Sequence, residues 1–189
     1  MLIRKFARNL RNLPLNKLKK RGLVIGKNFQ YEKNLLIDKI YPHLISIGDN
    51  VIASANVTIL AHDAGLKNIM GLVRIGRVSI GNNVFLGLGC IILPNVRIGN
   101  NVIIGAGSIV SKDIPDNSVC AGTPAKVICS MNDYKTRILS SAKEVPVYTE
   151  YLDPLKMTEK EKEQQRQELQ NTFGIKKAIN YKNFNSLQE

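Results

Sequence analysis

Tryptophan does not occur in this 189-residue chain, Phe and Tyr together supply 6 % of it, and histidine occurs twice, at His43 and His62. So few aromatics exclude a broad core of large rings and suit a narrow one lined with Val, Ile and Leu. Two imidazoles are one short of a three-histidine zinc site, and they show no ligand-like spacing, so no metal is expected. The three cysteines, Cys90, Cys120 and Cys129, share no metal-binding or redox spacing. An odd count of that kind reads as reduced thiols in a cytoplasm. The first residues, MLIRKFARNLRNLPLNKLKKRG, carry a charge every few positions and read as neither a secretory signal nor a membrane span. Acidic residues are scarce beside basic ones, 15 against 27, for a formal charge of +12. That balance favours anionic partners: an acidic membrane surface, a phosphorylated small molecule or nucleic acid. The basic residues are spread out and no nucleic-acid-reading module is present, so no nucleic acid is expected.

What is present is a six-residue period. Between Ile80 and Pro115 an aliphatic recurs at Ile80, Leu86, Ile92, Ile98, Ile104 and Val110. Gly81, Gly87, Gly99 and Gly105 follow four of them, and the fifth places are small or aliphatic: Val84, Cys90, Val96, Val102, Ser108 and Ile114. Six fits neither the 3.6-residue helix period nor sustained alternation. It fits a coil of three short strands per turn, with first-place aliphatics inward and glycine easing each corner. One coil alone leaves its apolar face wet, so coils must stack into a continuous column. The expected fold class is an all-β solenoid.

The chain has room for one such domain with modest additions. Residues 1–22 read as a basic helical segment interrupted at Pro14, with Leu2, Ile3, Phe6 and Leu10 near one face. That segment is either a peripheral anchor on anionic lipid or a helix packed on the coil with its charges solvated. The solenoid is expected over 23–130. Irregular early turns fall at Val24–Gly26 and Leu35–Ile37, the pattern returns at Ile47–Val51, and an excursion at 64–74 breaks the period before Ile75-Gly76 resumes it. Excursions from a rigid stack are where function is placed. Residues 131–189 form an extension with a polar helix at about 153–172, Asp153 as its N-cap and Pro154 at its first position.

The segment IGNNVFLGLGCIILPNVRIGNNVIIGAGSIVSKDIPDNSVCAGTPAKVI resembles the hexapeptide-repeat acyltransferases. Within them it is most similar to the O-acetyltransferases of sugars and surface polysaccharides, with the galactoside and maltose acetyltransferases as cousins. The likeness runs from about Ile45 to Ile128, under half of the chain. The repeat specifies only the fold; His62 before an excursion, SerLysAsp after the last hexad and the GlyThrProAlaLysVal ending are more specific. The resemblance implies a left-handed parallel β-helix, a homotrimer, and acetyl-coenzyme A in a groove between neighbouring subunits. It also implies an enzyme of polysaccharide biosynthesis; the cysteine usage places it in the cytoplasm, with peripheral membrane association open through the basic N-terminus.

Moving an acyl group from a thioester to a sugar hydroxyl needs a base, because an alcohol is a poor nucleophile. An imidazole can take that proton, for about 10²–10⁴-fold in rate. His62 matches the position of the family's general base, whereas His43 matches no family position and reads as packing or solvent-facing. Asp63 is expected to orient the imidazole or the acceptor. Lys67, Asn68, Arg74 and Arg77 could hydrogen-bond the acceptor or the donor, and Asn56 aligns with an asparagine near the family's acceptor site. Phe85 stands where some relatives set a larger aromatic beside the pantetheine. The oxyanion of the tetrahedral intermediate needs donors aimed at it, and the resemblance points to the backbone N–H after Gly87, that of Leu88. Gly105 and Ala106 correspond to small residues under the pantetheine arm, Ser111 and Lys112 to a hydroxyl–lysine pair that meets the coenzyme, and Lys126 to a cation towards its phosphates. Cys90, at an inward fifth place, reads as core rather than nucleophile.

The expected function is acetyl-coenzyme A-dependent O-acetylation of a sugar or surface-polysaccharide precursor, by direct transfer with His62 as base. Two other readings stand beside it: the same donor with an amino sugar, serine or an antibiotic as acceptor, or a non-catalytic β-helix used as a scaffold. A carbonic anhydrase on the same coil lacks the histidines its metal needs.

Overall fold

The first and fifth places of the hexads all turn inward: every one of these residues from Ile80 to Ile114 is buried in the computed structural model, which describes residues 14–148 and 157–176. A three-residue strand with both flanking side chains inward leaves its middle one outward. Accordingly β9 (Val78–Ile80), β10 (Val84–Leu86), β12 (Val96–Ile98) and β13 (Val102–Ile104) each bury their ends and turn Ser79, Phe85, Arg97 and Ile103 out. Each buried aliphatic contributes roughly 1.5–3 kcal/mol, and strands this short have no other source of stability than the stack.

The chain visits three parallel sheets in rotation. The first holds β1 (Val24–Ile25), β4 (Ile45–Ile47), β9 and β12. The second holds β2 (Gln30–Tyr31), β5 (Ile52–Ala53), β10, β13 and β15 (Ser118–Gly122). The third holds β3 (Leu36–Ile37), β6 (Thr58–Ile59), β11 (Ile91–Ile92) and β14 (Ile109–Val110). Four turns are complete before Ile114 bridges back to Ile98. The stack ends where β16 (Ala125–Ser130) folds back antiparallel on β15. At the other end, α1 (Leu15–Lys19) starts directly after Pro14, and its Leu18 joins Leu23 and Ile37 in the core. The face of Leu2, Ile3, Phe6 and Leu10 on which the two readings of the N-terminus turn lies outside the described residues.

The corners differ from expectation in which residue does what. Left-handed backbone at the first corner of every turn falls to asparagine: Asn28, Asn50, Asn83, Asn101 and Asn117, with φ between 54° and 56°. Asparagine tolerates that region and offers an amide to its neighbour above. Each side chain donates to the next at 2.9–3.0 Å, so the five form one ladder up the edge. The hexad glycines are needed for closeness instead. A Cβ on Gly81 would stand 2.6 Å from the carbonyl oxygen of Gly99 in the next rung.

The excursion is a short hairpin: β7 (His62–Asp63) pairs antiparallel with β8 (Arg74–Ile75), around the single turn of α2 (Lys67–Met70). Ile75 is therefore exposed in the hairpin, and the coil resumes at Val78 rather than at Ile75. Described by itself, the second compact unit, Asn132–Glu189, holds most of α3 (Met131–Ser141), then β17 (Val147–Tyr148), α4 (Glu159–Glu168) and β18 (Ile175–Lys176), with β17 and β18 paired in parallel. α4 is shorter than the expected helix. Its N-cap is Thr158, whose hydroxyl accepts from the Glu161 N–H while the Glu161 carboxylate accepts from the Thr158 N–H. That capping box satisfies two otherwise unpaired donors; Asp153 and Pro154 lie outside the described residues. No helix among the described residues is long and apolar enough to cross a membrane.

Candidate functional site

The third corner of the second turn, where the excursion leaves the coil, carries His62. Ile37 pairs with Ile59, so Asp38, one residue past β3, lies beneath Leu60 in the rung below, and its carboxylate reaches up to the Ala61 N–H and the His62 ring. Asp38 is 2 % exposed and fully engaged. One carboxylate oxygen accepts from the N–H groups of Ile40 and Tyr41 at 2.9 and 3.1 Å, and the other from Ala61 N–H at 2.9 Å and from His62 Nδ1. Burial works to raise the Asp38 pKa. The His62 bond and the N–H groups of Tyr41, Ala61 and Ile40 outweigh it and hold the carboxyl below its ordinary range. An ionised carboxylate can only accept, so in the neutral imidazole the proton sits on Nδ1 and the lone pair on Nε2. The Tyr41 ring, 5.5 Å away centroid to centroid, packs against the imidazole. The His62 side chain keeps 24 % exposure.

This arrangement corrects one half of the expectation for Asp63, that it orients the imidazole. Its carboxylate accepts from Gly65 N–H at 2.8 Å and from Arg74 Nη2 at 2.7 Å, and those bonds hold it below its ordinary pKa. It closes the root of the hairpin, and Asp38 orients the histidine. The sequence holds one signal for Asp38 that goes unread when only hexads are counted. The first and second turns lie 22 residues apart, against 18 for the third and fourth. The surplus sits in the corner after Asp38, in the turn of 3₁₀ helix at Pro42–Leu44.

His62 opens onto a cleft of about 970 Å³, near the upper end of small-molecule sites, lined also by Asp63, Arg74, Leu93, Asn95 and Ser111. Pairing along the third sheet explains Ser111: Ile59, Ile92 and Val110 stack, so the residues after them, Leu60, Leu93 and Ser111, form one edge. Lys112 follows Ser111 on that edge and is exposed. Lys67 and Asn68 lie exposed on the excursion, outside the cleft lining.

Asn56 does not reach the cleft. It has φ 60° at the corner between the second and third sheets, and its side-chain oxygen accepts from Asn34 at 3.0 Å, so it is a corner residue. The remaining expected residues also gather at that other edge. Phe85 projects from the second sheet, Gly87 and Leu88 follow β10, Gly105 and Ala106 follow β13 one rung above, and Lys126 is exposed on β16. The whole third sheet separates them from His62 within one chain. Cys90 is buried, and burial pushes its thiol up to about 12, which suits core and not nucleophile. His43 packs edge-on against Tyr41.

Residues 77–112 match the family model described as bacterial transferase hexapeptide (six repeats). The chain is 44 % identical over 140 residues to protein CapG of Staphylococcus aureus, a span of 70 % of this chain and 80 % of that protein. Among solved structures it is similar to a maltose O-acetyltransferase from Clostridium difficile 630, with a TM-score of 0.51 and 34 % identity, covering 67 % of this chain and 83 % of that one. It is also similar to a galactoside acetyltransferase in complex with coenzyme A, with a TM-score of 0.50 and 32 % identity, covering 67 % and 77 %. With the repeat, the coil and these relatives in agreement, the chain belongs to the sugar O-acetyltransferase family of hexapeptide-repeat acetyltransferases.

Proposed function

We propose that the protein transfers the acetyl group of acetyl-coenzyme A to a hydroxyl of a sugar or surface-polysaccharide precursor, with His62 as general base. The observation that carries this reading is the buried Asp38 carboxylate on Nδ1 of His62, which leaves Nε2 free to take a proton at the mouth of a cleft. As the acceptor oxygen bonds to the thioester carbonyl carbon, its proton passes to Nε2. The tetrahedral intermediate then collapses, the carbon–sulfur bond breaks, and the thiolate takes the proton back. Products are the acetyl ester and the free thiol. Asp38 keeps the ring in the productive tautomer and offsets its positive charge while protonated. Asp63 and Arg74, locked together, form one wall for the acceptor.

The coil is left-handed in this reading and the enzyme a homotrimer. Support comes from the outward rows. In the second sheet the row is Gln30, Ile52, Phe85 and Ile103; in the third it is Leu36, Thr58, Ile91 and Ile109. Neither row holds a charge and each is three-quarters apolar, whereas the first sheet shows Val24, Ser46, Ser79 and Arg97. A neighbour covering the apolar rows would bring its own Phe85, Leu88, Gly105, Ala106 and Lys126 towards His62. Short side chains at Gly105 and Ala106 leave room for a pantetheine arm, Leu88 N–H serves as an oxyanion donor, and Ser111, Lys112 and Lys126 meet the coenzyme's polar end.

Replacing His62 by alanine tests this. Turnover with acetyl-coenzyme A and a panel of sugar acceptors should fall by about 10²–10⁴-fold, while coenzyme A still raises the melting temperature. Full activity in the H62A protein would overturn the assignment.

A further inference from the structure

We infer that the excursion is a membrane-docking arm that seats the enzyme on an anionic lipid surface with the His62 cleft at its foot. Every residue from Ala64 to Ile75 is exposed. Half of them are large and apolar: Leu66, Ile69, Met70, Leu72, Val73 and Ile75, with Ile69 80 % exposed at the tip. A protruding hairpin with that composition marks a contact surface and not ordinary surface chemistry.

Charge chooses the occupant. From Ala64 to Arg77 the sequence has Lys67, Arg74 and Arg77 and no acid; Asp63 at the root is held by Arg74. Apolar side chains flanked by Lys67 and Arg77, with Arg74 paired to Asp63, suit the boundary between headgroups and acyl chains of an acidic bilayer. A second copy of this chain suits it less. The apolar rows assigned to self-association carry no charge, whereas the arm carries cations. Arg74 and Asp63 belong to both the hairpin root and the cleft, so a docked arm fixes the height of the cleft above the lipid. Together with the proposed reading, which this last step rests on, that height suits an acceptor sugar carried on a lipid.

The absence of tryptophan makes the test clean. An Ile69→Trp protein, full length, carries a single indole at the tip. Its emission should move to shorter wavelength on mixing with phosphatidylglycerol vesicles, and not with phosphatidylcholine vesicles. Cosedimentation with the phosphatidylglycerol vesicles should weaken about tenfold or more in an Ile69→Ser/Met70→Ser/Leu72→Ser protein. Coenzyme A-dependent thermal stabilisation should be the same in both and in the parent. Unchanged indole emission, or equal vesicle binding by the triple variant, would overturn the inference. So would a fall in its mass by sedimentation velocity, which would make the arm a contact between copies. Loss of the coenzyme A effect in the parent would count against the proposed function and leave the docking result standing.

Discussion

A single carboxylate decides the chemistry at His62. Asp38 is buried, accepts four hydrogen bonds and leaves the imidazole one tautomer. An Asp38→Asn protein presents an amide in place of an obligate acceptor, so the preferred orientation and tautomer are both lost. We expect kcat to fall about 10²–10⁴-fold, with KM for acetyl-coenzyme A little changed and the circular dichroism spectrum retained. The same residue predicts an acid dependence of stability. Its folded-state pKa is depressed, so its contribution is present above the unfolded value of about 3.9 and is lost as pH falls through the folded value. Urea midpoints of the parent and the D38N protein should therefore differ at pH 7 and converge as the solution is acidified towards pH ~2. A constant gap across that range would contradict the account. The histidine is legible in the sequence because it stands at the break in the period. Its partner is not, since pairing across turns depends on coil length, and the first two turns, of 22 and 33 residues, both depart from the 18 of the next.

Among elements, the asparagine ladder bears on stability most directly. Asn101 has φ 54° and two amide bonds, to Asn83 below and Asn117 above. Alanine there should cost about 1–3 kcal/mol, through backbone strain and the lost bonds together. Glycine removes only the strain, so Asn101→Gly should fall between alanine and the parent in denaturant midpoint. If glycine is no better than alanine, the amides and not the backbone carry the corner. The hexads Ile80–Ile114 make the coil legible from the residues alone, because the inward places alternate with glycine-tight corners at a period no helix shares. The hairpin character of 62–75 and helix α3 are less legible. Neither has a periodic apolar face, and β7 and β8 are two residues each. Asp63 misleads for a related reason: adjacency in sequence suggests contact with His62, whereas strand pairing turns its side chain to Arg74.

At the scale of the whole molecule, the His62 edge and the Leu88–Ala106 edge stand on opposite sides of the third sheet, so one chain cannot supply both to one substrate. Under the proposed trimer, two different inactive proteins should repair each other. Ala106→Trp fills the expected donor path at an exposed corner and His62→Ala removes the base; each alone should be inactive. Coexpressed, they form mixed assemblies in which an intact His62 meets an intact Ala106, and acetyl transfer should return. No recovery in demonstrably mixed assemblies would place the reaction within one subunit.

The backward final strand, β16, ends the parallel pairing of the second sheet, because it runs antiparallel to β15. Between the third and fourth turns the chain repeats after 18 residues, with the same ring of aliphatics and the same amide step. A duplicate of residues 81–98 could be spliced in with the same register to the turns on either side. Ser111 would then sit about 4.8 Å further from His62, and the stack would act as a ruler whose added notch sets how long a thioester tail the protein can span.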